Sequence, residues 1–116
     1  MTASALAEGS AVRLVLATCP DAATAERLAH TLVAERLAAC GSVVPGLTSI
    51  YRWQGAVETA TECLLLLKTR ADRLDALATR LLDLHPYAVP ELLALPVDRG
   101  AAAYLAWVVE ESADTA

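Results

Sequence analysis

Two stretches of this chain repeat apolar residues at helical spacing, and a long hairpin signal lies between them. Few folds accept that order. Ala25, Leu28, Ala29, Leu32 and Val33 recur at i, i+3, i+4, i+7 and i+8, which predicts an amphipathic helix over 22–39. Leu74, Leu77, Ala78, Leu81 and Leu82 repeat the pattern, and Pro86 ends this second helix near His85. Thr69-Arg-Ala-Asp72, just before it, has the form of a capping box. Between the helices, 42–51 reads as a strand rich in Val, Ile and Tyr. Pro45-Gly46 inside it predicts a bulge or an edge position. Trp53-Gln54-Gly55 is a turn signal, and 57–69 is the returning strand.

The flanks complete the order. Val12 to Ala17 is apolar apart from Arg13, as in a strand covered on both faces. Pro20-Asp21 ends it and offers a helix N-cap. Leu92 to Val97 is a short apolar strand, and 98–111 carries Leu105, Ala106 and Val109 on one helical stripe. The sequence β-α-β-β-α-β-α predicts an α+β fold: a ferredoxin-like split β-α-β sandwich with an added C-terminal helix. Its sheet is antiparallel and has helices on one face. The other face receives half of each strand's side chains, many of them apolar, so a lone chain would expose it and self-association is expected. Tyr51 and Trp53 on the long hairpin suit an intersubunit clamp.

At 116 residues the chain holds one domain, expected over 11–112. Residues 1–10 are small and polar and read as a disordered tail, with a second short tail at 113–116. No apolar run reaches the ~18 residues of a membrane span. No basic segment followed by an apolar core opens the chain, so a cytoplasmic protein is expected. The net charge is −5 and the basic residues are scattered, which argues against nucleic acid and membrane partners. Cys19, Cys40 and Cys63 read as free thiols, and no CxxC spacing suggests structural zinc.

The chemistry concentrates in His85-Pro-Tyr-Ala-Val-Pro-Glu91, a connection stiffened by two prolines. His85 is either a metal ligand, steadied by Tyr87 or Glu91, or a helix-terminal residue capping the last carbonyls. Cys40 is either a soft ligand or a small buried apolar residue. Glu62, Lys68, Tyr87 and Glu91 are expected to converge on one pocket, as a buried ion pair or a small-ligand site. No glycine-rich phosphate loop, nucleophile elbow or HExxH motif is present, and Ser42 and Ser49 have no evident base. The chain is therefore not expected to be an enzyme.

A set of short segments in one order then carries a resemblance. They are Thr18-Cys-Pro-Asp21, Leu37-Ala-Ala-Cys40, Val44-Pro-Gly46 and Ser49-Ile-Tyr-Arg-Trp-Gln-Gly55. They continue with Glu62, Lys68-Thr69, His85-Pro-Tyr87, Pro90-Glu-Leu92, Leu95-Pro-Val97 and Tyr104-Leu-Ala-Trp107. From about Val12 to Val109 the chain resembles the CutA1 divalent-cation-tolerance proteins. The resemblance implies a tight homotrimer, divalent metal binding with copper foremost, and no assigned reaction. It places Cys40 where the family carries its characteristic cysteine. Some members have further cysteines linked to metals, and this chain has Ala17 and Arg80 at those places.

The expectation is thus a trimeric protein of cation tolerance. His85 and Cys40 are its metal ligands, and Glu62, Lys68, Tyr87 and Glu91 support the pocket. Tyr51, Trp53 and Trp107 lie in the trimer interface. The alternative is a PII-like regulatory trimer that binds a small anionic metabolite between subunits, with Lys68 and Arg52 or Arg99 meeting the anion.

Overall fold

The computed structural model describes residues 5–114. The chain runs β1 (Leu6–Glu8), β2 (Val12–Cys19), α1 (Ala22–Ala34), β3 (Cys40–Trp53), β4 (Ala56–Arg70), α2 (Leu74–Leu84), β5 (Leu92–Pro96), β6 (Arg99–Ala101) and α3 (Ala102–Glu111). A single 3-10 turn, Ala71–Arg73, leads into α2. Four strands form one sheet in the order β3-β4-β2-β5, every pairing antiparallel. Each β-α-β unit is thus split by a strand of the other.

Alternation decides which side chains are covered. Val15, Ala17 and Cys19 of β2 and Cys63, Leu65 and Leu67 of β4 point to the helices. They pack there with Leu28 and Leu32 of α1 and Leu77 and Leu81 of α2. Gly41 in β3 permits this approach, because a Cβ there would lie 2.9 Å from the Ala29 Cβ. A second cluster, Val12, Ala39, Leu105 and Val108, seats α3 against the sheet end.

The hairpin follows its local chemistry. Gln54 and Gly55 both have positive φ, 49° and 81°, as a two-residue turn matched to strand twist requires. The register slips between Val44 and Leu47, so Pro45-Gly46 is a bulge, with Gly46 at φ 76°.

Four expectations need correction. The segment over 1–10 is not wholly a disordered tail: β1 pairs with β6, and Gly9 N–H donates to the Asp98 carbonyl at 2.9 Å. Ala7 packs against the second cluster, a tertiary contact that local composition does not reveal. Residues 1–4 of that tail lie outside the described residues.

Helix α1 stops at Ala34 rather than 39. Arg36 turns left-handed at φ 60°, and Arg36 and Leu37 N–H groups donate to the Val33 and Leu32 carbonyls. An arginine bears this conformation because its guanidinium reaches across the fold to the Ala113 and Glu110 carbonyls, at 3.0 and 2.8 Å.

The Thr69 capping box does not form. Thr69 is in β4, and its hydroxyl donates to the Leu37 carbonyl at 2.7 Å. Asp72 instead accepts two hydrogen bonds from Arg70, which hold its carboxyl below the usual range. The terminal helix begins at Ala102, not 98, because 99–101 pair with β1.

Candidate functional site

The turn half of the β3–β4 hairpin, the end of β2 and the 85–91 connection enclose a cleft of about 500 Å³. Thr18, Tyr51, Trp53, Glu62, Tyr87 and Glu91 contribute to its wall. Two carboxylates and three aromatic rings therefore face one space. Glu62 is only 7% exposed, and its carboxylate accepts from the Tyr87 hydroxyl at 2.8 Å. Burial, and then that bond to Glu62, push the Tyr87 hydroxyl well above its ordinary titration range.

His85 is the C-cap of α2, and its backbone N–H donates to the Leu81 carbonyl. Its ring does not cap that helix. Nε2 lies 2.8 Å from the Thr18 carbonyl, and Nδ1 accepts the Tyr87 backbone N–H at 3.1 Å. A carbonyl can only accept, so the proton sits on Nε2. Both ring nitrogens are thereby engaged, and the ring locks the 85–91 connection onto β2. The rings of His85 and Tyr87 also meet, tilted at 53° with their centroids 4.8 Å apart.

Cys40 lies elsewhere. It opens β3 opposite Lys68, which in turn faces Leu14 of β2. Thr18, the partner of His85, is four residues further along β2 than Leu14 and two strands across from Cys40. That places the thiol roughly 13 Å along the strands and 10 Å across them from the His85 anchor. One chain does not bring the two proposed metal ligands together. Among the described residues, no group of three or more His, Cys, Asp or Glu side chains is placed to hold a metal ion.

Lys68 also departs from the expected group. Its ammonium donates to Ser42 Oγ at 2.8 Å and contacts Cys40 Sγ at 3.7 Å, so Glu62 and Glu91 are not its partners. Tyr104 approaches the same thiol, and burial and Cys40 raise its titration range. Glu62, Tyr87 and Glu91 do share the cleft, as expected. Arg52 sits near the hairpin tip and Arg99 in β6, and neither lines it. Tyr51, Trp53 and Trp107 are each more than two-fifths exposed in the single chain. Thr18 belongs to the site although its residue type does not announce it. A threonine at a strand end signals nothing by itself, and its role rests on a carbonyl that meets His85 across 67 positions.

Known proteins share this fold. The profile of the CutA1 divalent ion tolerance protein family matches residues 13–111. A divalent-cation tolerance protein CutA from Thermus thermophilus is 50% identical over 99 residues, covering 85% of this chain and 96% of the relative. The crystal structure of CutA from Xylella fastidiosa superposes with a TM-score of 0.87 at 48% identity, over 90% of this chain and 100% of that one. CutA from Synechococcus elongatus gives a TM-score of 0.90 at 40% identity, over 95% and 97%. The likeness spans nearly the whole chain, and the chain belongs to the CutA1 divalent-ion tolerance family.

Proposed function

We propose that this protein is a homotrimer that binds divalent cations, copper foremost, and serves cation tolerance by sequestration or sensing rather than by turnover. The observation that carries the metal reading is the pairing of family membership with a cleft that holds a nearly buried carboxylate, Glu62, beside Glu91. Carboxylates suit hard divalent ions, and Cys40 offers a softer ligand for copper. Because Cys40 and His85 stand apart in one chain, a site using both is shared between subunits. His85 ligation also requires its ring to release the Tyr87 amide or the Thr18 carbonyl.

The trimer reading rests on the open sheet face, and the split β-α-β strand order supports calling that sheet ferredoxin-like. A cytoplasmic location, which keeps thiols reduced, suits the three free cysteines.

Titration calorimetry of copper on the reduced protein, with a competing chelator, tests the metal reading. One tight site per subunit, lost in the His85→Ala, Cys40→Ser double variant, is expected. Loss in Glu62→Gln alone would move the site into the cleft. Weak binding that no variant changes would discard the metal reading.

A second reading has its own observation. The Synechococcus elongatus relative has also been solved complexed with a Bis-Tris molecule, an amine bearing hydroxyl groups. In a PII-like trimer, the cleft would bind a small metabolite between subunits. Its carboxylates and aromatic rings favour an amine or polyol over an anion, since Lys68 is turned away to Ser42. Thermal shifts with amines or polyols, and none with metals, would put this reading first.

A further inference from the structure

We propose that Cys19 and Cys63 form a redox-active dithiol that closes to a disulfide between β2 and β4. The register puts Cys19 directly opposite Cys63, and both side chains enter the core on the helix side. Residues opposed in an antiparallel pair have Cα atoms about 4.5–5.5 Å apart, inside the span a disulfide bridges. The backbone therefore need not move far to bring the sulfurs together. Cys40, at the start of β3 beside Lys68 and Ser42, reaches neither thiol.

The chemistry balances with a peroxide as oxidant. One thiol attacks hydrogen peroxide, giving a sulfenic acid and one water. The facing thiol then displaces a second water and forms the S–S bond, so two protons and two electrons leave the dithiol in all. The product is uncharged, which suits a site in the apolar core better than a thiolate does. Burial, and next to it the facing Cys63, push the Cys19 thiol up to about 11. Thiolate is therefore scarce at neutral pH, and closure is slow there and faster in mild alkali. Cys19 is fully buried and Cys63 nearly so, so the peroxide meets Cys63 first. Thr18 and Glu62 precede the two cysteines and line the cleft, so the bridge pins the strands that carry its floor.

The test oxidises the full chain with hydrogen peroxide at mildly alkaline pH, then denatures, alkylates and maps it without reduction. The expected result is loss of two thiols together, a cross-linked peptide pair containing Cys19 and Cys63, and a mass lower by two hydrogens. Reductant restores all three thiols. The melting temperature of the oxidised chain rises by several degrees, because the bridge closes a long loop. Cys40→Ala leaves this behaviour intact, and Cys63→Ala abolishes it. If Cys63→Ala fails to fold, mapping of Cys40→Ala decides alone. Full alkylation of Cys19 and Cys63 after prolonged oxidation, or cross-links only between chains, overturns the proposal.

Discussion

The two faces of the sheet are built from the same residue type and end differently. On β4, Leu65 and Leu67 point to the helices and are fully buried. Leu64 and Leu66 alternate with them onto the other face, which α1 and α2 do not cover. Across that face, Leu93 and Leu95 of β5 remain 56% and 39% exposed. In this stretch both sides carry leucines, and the covering differs. The helix face is finished within one chain. The open face carries a row of leucines that stays partly exposed in the single chain, which is the condition that favours burial by another copy.

That contrast can be broken most directly by charging the open face. If the proposed trimer buries this face, Leu93→Asp is expected to sediment as a monomer, while the far-ultraviolet dichroism of the chain stays native. An unchanged sedimentation coefficient would mean that the open face is not the contact. Smaller is the effect of Leu65→Ala on the packed side. It should cost about 2–5 kcal/mol in urea unfolding and leave stoichiometry alone, because it opens a cavity under α1 and α2. A cost below ~1 kcal/mol would show a core able to collapse onto the gap.

The smallest effect is alkaline. Cys19 on the packed side and Tyr87 in the cleft both hold their protons more tightly in the folded chain. Their contribution to stability is fully present below the ordinary values, 9.0 for the thiol and 10.0 for the phenol. It is lost as pH rises, through about 11 for Cys19 and later for Tyr87. Urea midpoints should therefore fall with pH above 9. Cys19→Ala should flatten the first part of that fall and Tyr87→Phe the later part. A flat profile in the unaltered protein would refute both assignments.

What could be read in the sequence follows the range of the interactions involved. The Gln54-Gly55 turn and the Pro45-Gly46 bulge were visible because each is dictated by the residues that form it. The helical stripes were visible because α1 and α2 bury one face each. The end of α1 was not, since Arg36 takes its left-handed turn while bonded to carbonyls 74 and 77 positions away. Strand β1 depends in the same way on β6. In the cleft, Glu62, Tyr87 and Glu91 were anticipated together, and Lys68 was misplaced with them. Alternation alone puts Lys68 on the same face as Glu62, but its position along β4 brings it to Ser42 and Cys40. His85 drew notice for its ring, yet its partners are a distant carbonyl and a neighbouring amide.

The strand order also sets a sequence of events in time. The β3–β4 hairpin closes across a two-residue turn, so its ladder can zip with little loss of chain entropy. The β2–β5 ladder joins Ala17 to Leu92 at its nearer end, so about two-thirds of the chain must be gathered before its first bond forms. Folding should therefore begin at the hairpin, with β5 docking at the sheet edge well after it. The 85–91 connection enters β5 directly, so the wall of the cleft forms later than the hairpin it faces.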